Sequence, residues 1–131
     1  MHIEVARHVV EALKGEAQSA HPHECCGLLL GEGECITDHV ATKNVHPTPE
    51  SHFEIDPQAL IDAHRVAREG GPQVCGYYHS HPAGAAVPSA TDRAMASGDG
   101  RIWAIIAHGQ VRFWQDNARG FDALSYEVVG D

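Results

Sequence analysis

The chain is short of positive charge, of paired cysteines and of long apolar runs, and each shortage excludes something. Nine Lys and Arg stand against 18 Asp and Glu in 131 residues, a formal net charge of −9. A nucleic-acid surface needs a basic face that displaces counterions from phosphate, and this composition cannot easily build one. The four cysteines, Cys25, Cys26, Cys35 and Cys75, form no Cys-x-x-Cys pair, so a cysteine-built structural zinc site is poorly supported. Cys25 and Cys26 are neighbours that cannot bridge without strain, and reduced, partly buried thiols are expected, Cys75 as a core residue. No apolar run approaches the ~20 residues that span a bilayer. The opening MHIEVARHVVEALKGEAQ has early acidic residues and no small-residue cleavage site, unlike a secretory signal. These features give the expectation of a cytoplasmic protein with neither a membrane nor a nucleic-acid partner. No repeat, low-complexity tract or linker divides the chain, so residues 1–131 are expected to form a single domain, long enough for a real core.

Periodicity supplies the elements. Ile3, Ala6, Val9, Val10, Leu13 and Ala17 recur at helical spacing between charged residues, which predicts an amphipathic first helix over residues 3–18. Glu24-Cys-Cys-Gly-Leu-Leu-Leu-Gly31 is a short apolar run that suits a buried strand, followed by a Gly-Glu-Gly turn and a second strand over 35–40. Residues 51–56 alternate in strand fashion, with Phe53 and Ile55 on one face. Asp56-Pro57 reads as a helix cap followed by proline at the first helical position, and Gly70-Gly71 as that helix's stop. Strands are expected over 74–81, 101–108 and 110–115, with an edge strand over 123–129. Gly76 suggests a close backbone approach or a bulge. Trp103 and Trp114 are read as core and sheet-face packing. The sum is an α/β protein, a mixed sheet with helices on its faces.

The chemistry concentrates in His79-Ser-His81-Pro-Ala-Gly-Ala-Ala-Val-Pro-Ser89-Ala-Thr-Asp92. In a strand, residues two apart project from the same face, so His79 and His81 point together. Pro82 ends the strand. Ser89 reads as a helix cap, which puts Asp92 in the first helical turn. Two histidines and a carboxylate are the kind of three-ligand set that holds a catalytic zinc and leaves a fourth position for water. Ser-x-x-Asp is also close to a capping box, and the two readings are compatible. From this chain's own residue frequencies, His-x-His followed by Ser and Asp at these offsets arises by chance on the order of 0.002–0.003 times. Glu24 at the head of a buried strand is either a solvated turn residue or a general base beside the metal.

Glu24 upstream, then His79-x-His81-x(7)-Ser89-x-x-Asp92, resembles the full signature of the JAMM (MPN-plus) zinc metallopeptidases. The flanking HPHECCGLLLG, FEID and GYYHSHP agree. The resemblance covers nearly the whole chain and implies a cytidine-deaminase-like mixed β-sheet flanked by helices. It further implies one zinc per chain on His79, His81 and Asp92, Glu24 as the base, and Ser89 as donor to the oxyanion. The implied reaction is hydrolysis of a peptide or isopeptide bond after the C-terminal Gly-Gly of a ubiquitin-like or sulfur-carrier protein, for instance release of an attached cysteine. The chain has little room for long inserted loops and looks like the minimal prokaryotic members. Two alternatives stand beside this: a non-catalytic MPN scaffold, and a zinc amidohydrolase acting on small peptides. A zinc deaminase is disfavoured because its His-x-Glu and Pro-Cys-x-x-Cys elements are absent.

Overall fold

A computed structural model describes residues 1–130. Its frame is seven strands: β1 (His2–Ala6), β2 (Cys26–Glu32), β3 (Cys35–Thr42), β4 (Gln73–Ser80), β5 (Ile102–Ala107), β6 (Gln110–Asn117) and β7 (Gly120–Val129). Three helices accompany them: α1 (Arg7–Ala20), α2 (Pro57–Arg68) and α3 (Ala90–Met95). The strands close on themselves in the order β1-β3-β2-β4-β5-β6-β7, with β4–β5, β1–β7 and β1–β3 parallel and the rest antiparallel. The α/β class and the mixed sheet agree with expectation. The closure does not follow from the sequence reading.

Three elements depart from the expected plan. Residues 2–6 form a strand, and the first helix begins at Arg7. Ile3 and Val5 are fully buried while His2 and Glu4 face outward, an alternation of period two. β1 lies parallel to β7 in a five-residue ladder from His2↔Ser125 to Ala6↔Val129, and those backbone bonds override a helical pattern that Ile3 and Ala6 also satisfy. For the same reason β7 is no edge strand, since β6 flanks it on one side and β1 on the other. Residues 51–56 are the third departure: they are irregular apart from one bridge, Asn44↔Ile55.

The closed sheet curls round α1. Val9, Val10 and Leu13 pack on one face of the strands, against Ile3, Val5, Leu29, Ile36, Tyr78, Ala104, Ile106, Val111, Phe113 and Leu124. Burying each large side chain here contributes roughly 1.5–3 kcal/mol. The opposite face of the sheet carries Cys26, Leu28 and Tyr77 beneath α2, and Ile105 and Ala107 beneath the loop that holds Ala86. β5 is apolar throughout because both its faces are covered. Asp56 caps α2 by accepting from the Gln58 N–H at 3.1 Å, with Pro57 following. Cys75 is half-buried against the α1 core, at a register shift where Leu29 faces Gly76 and Leu30 faces Val74.

Candidate metal centre

β2 and β4 run antiparallel with Cys26 opposite His79. Beyond the ladder, Ser80 N–H donates to the Cys25 carbonyl at 3.1 Å and Cys25 N–H donates to Ser80 Oγ at 2.9 Å. The same register carries Glu24 opposite His81, so Glu24, His79 and His81 share the face of the sheet away from α1. After β4, His81 N–H still donates to the Ile106 carbonyl at 2.8 Å, which holds the second histidine to the sheet before Pro82 turns the chain out. α3 returns the carboxylate. Ser89 caps it with backbone in the extended region, its Oγ accepting from Asp92 N–H at 3.0 Å while Ser89 N–H donates to Asp92 Oδ2 at 2.9 Å. This is the expected capping box, and the residue that completes it is also the third member of the histidine cluster.

The three donors converge. His79 Nε2 lies 3.0 Å from His81 Nε2, Asp92 Oδ2 lies 3.0 Å from His81 Nε2 and 3.2 Å from His79 Nε2, and Asp92 Oδ1 lies 3.1 Å from His79 Nε2. For comparison, ligands about 2.0–2.1 Å from a tetrahedral ion are separated by roughly 3.3–3.4 Å. His81 Nδ1 sits 2.7 Å from the Ala85 carbonyl, which can only accept. Nδ1 therefore carries a proton, which leaves Nε2 as the ring atom facing the cluster. His79 is fully buried and its ring stacks on Phe53 at 4.2 Å and 17°, with the edge of Trp103 at 5.7 Å. Its Nδ1 is buried with no partner, so on that side of the ring aromatic packing, and no hydrogen bond, sets its orientation. Two converging imidazole nitrogens and a buried carboxylate fit a divalent metal ion.

The charges are arranged to match. Burial pushes His79 below the usual imidazole range. For His81 burial works in the same direction, but the Asp92 bond, the Ala85 carbonyl and nearby carboxylates outweigh it and hold the ring above its usual value. Burial opposes ionisation of Asp92, yet the two histidines and the Ser89 N–H hold its carboxyl far below the ordinary range. Glu24 is 7% exposed, and burial pushes it up to about 7 against the attraction of His81. This has a consequence for the metal-free protein. A carboxyl raised from 4.5 contributes stability that is present in full below about pH 4.5 and is lost as pH rises through about 7. Glu24→Gln removes that loss, so the metal-free variant should gain about 1–3 kcal/mol on the wild type between pH 5 and 8. Chemical denaturation of both proteins with a chelator across that range reads it, and a pH-independent difference would contradict the burial account.

The five residues singled out by motif thus meet in one place: three as converging donors, Glu24 across the strand pair, and Ser89 at the cap. Sequence reading missed the supports. Phe53 was expected to share a face with Ile55, and it does pack in that cluster, but it also forms the wall against His79. Trp103 is 6% exposed as expected of a packing residue, yet what it packs on includes the buried histidine. Trp114 Nε1 donates to the Ala86 carbonyl at 3.2 Å and fixes the loop between the ligands. Asn44 gave no signal beyond its position between a strand and a proline-broken segment.

Residues 6–117 match the family of prokaryotic homologues of the JAB domain. The chain belongs to that family, which bears out the resemblance carried by its motif. It is 37% identical over 86 residues to a desampylase of Haloferax volcanii, covering 64% of this chain and 62% of that protein. It is 31% identical over 91 residues to a CysO-cysteine peptidase of Mycobacterium tuberculosis, covering 68% and 62%. The chain therefore spans less than two thirds of the length of these relatives. In structure it resembles the solution structure of protein DSY2949 from Desulfitobacterium hafniense, with a TM-score of 0.84, 27% identity, and 98% of this chain and 94% of that chain covered.

Proposed function

We propose that the chain is a zinc-dependent hydrolase of peptide or isopeptide bonds, with one zinc on His79, His81 and Asp92. Its substrate is a ubiquitin-like or sulfur-carrier protein cut after a C-terminal Gly-Gly. The observation that carries this reading is the convergence of two imidazole Nε2 atoms and a carboxylate within 3.0–3.2 Å, with Glu24 buried on the same face. The names of the two relatives support a protein conjugate, or a carrier bearing one amino acid, as the substrate class. A scaffold role without a metal has no use for such a cluster.

Zinc bound there would acidify water and polarise the scissile carbonyl. Glu24 accepts the proton that the attacking water gives up as its oxygen bonds to the carbonyl carbon. It then delivers that proton to the amine nitrogen as the carbon–nitrogen bond breaks. Ser89 Oγ accepts from Asp92 N–H, which leaves its own hydroxyl proton to donate to the oxyanion.

Ser89→Ala should therefore lower turnover by about 10²–10³ with zinc retained, and Ser89→Thr should restore most of it. The lost cap costs about 1 kcal/mol in stability, so zinc content and melting are measured alongside the rate. Alanine turning over like the wild type would remove Ser89 from the chemistry. The function itself is tested by intact-mass assay of the zinc-loaded protein on ubiquitin-fold sulfur carriers extended past Gly-Gly by cysteine, a short peptide or a lysine isopeptide. Cleavage after the second glycine supports the reading, and the preferred extension names the bond. Zinc bound with only small amides cut would move the substrate class to the small-peptide alternative.

A further inference from the structure

We infer that Asn44 is a positioning residue for Glu24. The inference rests on the reading of Glu24 as the base. Among the described residues no hydrogen-bond partner reaches the Glu24 carboxylate, so where it points depends on where its backbone is held. Glu24 precedes the first residue of β2, outside the ladder, and both its peptide groups are taken by one segment. Its N–H donates to the Pro49 carbonyl at 2.7 Å, and its carbonyl accepts from Asn44 Nδ2 at 3.0 Å. Asn44 Nδ2 also donates to the His52 carbonyl at 2.9 Å, while Oδ1 accepts from His46 N–H at 3.1 Å and Glu54 N–H at 3.0 Å. All four hydrogen-bonding directions of one half-buried side chain are used.

The arrangement ties the loop 45–54 into a closed unit and binds that unit to the base. The same loop carries Phe53, whose ring lies on His79. One segment thus touches the base through Asn44 and Pro49 and a metal-cluster histidine through Phe53, and sets the spacing between them. A second residue type does not serve equally. Aspartate keeps both acceptor bonds but turns the donating nitrogen into an oxygen facing two carbonyls.

The test is Asn44→Asp, made alone and in the Glu24→Gln background, with Thr48→Ala as a control. Thr48 Oγ1 bonds the His46 and His52 rings within the same loop and makes no hydrogen bond to Glu24. On a ubiquitin-fold sulfur carrier extended past Gly-Gly by a short peptide, Asn44→Asp should bind zinc as the wild type does. Its kcat should fall on the order of 10–100-fold with KM little changed, and Thr48→Ala should keep wild-type kcat. In the Glu24→Gln background Asn44→Asp should cost nothing further. In the metal-free protein, the Glu24 amide should exchange its hydrogen about tenfold faster in Asn44→Asp, with the His81 amide unchanged. A kcat loss of the same size with and without Glu24 would overturn the inference in favour of general loosening. An unchanged Glu24 amide would overturn it too. Full turnover by Glu24→Gln alone would instead sink the assignment of the base, and the exchange measurement would still decide whether Asn44 clamps that backbone.

Discussion

Glu24→Gln should bind zinc as tightly as the wild type and lose about 10²–10⁴ in turnover, whereas Asp92→Asn and His79→Ala should lose the metal itself. The contrast follows from where the side chains come from. Glu24 enters from the start of β2, opposite His81, and is not one of the three groups whose donor atoms converge. Glutamine keeps its size and its backbone clamps but cannot carry a proton between water and amine. Asp92→Asn makes a different change at nearly constant shape. The amide oxygen can still accept from Ser89 N–H, as Oδ2 does at 2.9 Å, so the helix cap survives while the anionic ligand is gone. Metal analysis of the purified proteins and the cleavage assay together read both halves. Zinc lost from Glu24→Gln would make it a ligand, and full activity in that variant would remove it as the base.

The site was more legible than the fold. Its residues lie in two short stretches, and the physics that assembles the second one is local: alternation along β4 pairs the two histidines, Pro82 stops the strand, and Ser89 starts the helix that carries Asp92. The approach of Glu24 depends on the β2–β4 register, which is not local; a carboxylate at the head of a buried strand raised it as one of two readings, and the motif resemblance chose between them. The closure of the sheet was hidden for a stronger reason. Ile3, Ala6, Val9 and Val10 satisfy a helical period as well as Ile3 and Val5 satisfy a strand. What decides between them is β7, more than a hundred residues away, which pairs with β1 on one side and β6 on the other. Asn44 was illegible because an asparagine's role lies in four bonds to main-chain groups, and main chain carries no sequence signal.

Gly76 was legible as a constraint though not as a geometry, and it carries the other large effect. Gly76→Ala should destabilise the protein by more than about 4 kcal/mol, the range reserved for a named steric or packing failure. A Cβ built at Gly76 would lie 1.7 Å from the Ile102 carbonyl oxygen and 2.6 Å from its carbon. Those are backbone atoms of the parallel neighbour, so no side-chain rotation relieves the clash; β4 and β5 have to part where their ladder begins. Out of a total stability of roughly 5–15 kcal/mol, that is a drop in melting temperature on the order of 10–20 °C. Gly15→Ala is the opposite case. It lies inside α1 with nothing within 4 Å of the added methyl and should gain about 0.5–1 kcal/mol from helix propensity. Zinc then locates the damage. Because it binds the folded state, it should raise the melting temperature of the wild type and of Gly15→Ala alike. Three residues beyond Gly76, on the same strand, stands His79, so a parted β4 misplaces a ligand and the zinc-induced rise should shrink in Gly76→Ala. A full rise on a lowered baseline would mean that the strain is absorbed before the strand reaches the metal. A melting temperature within a degree or two of the wild type would refute the close approach altogether.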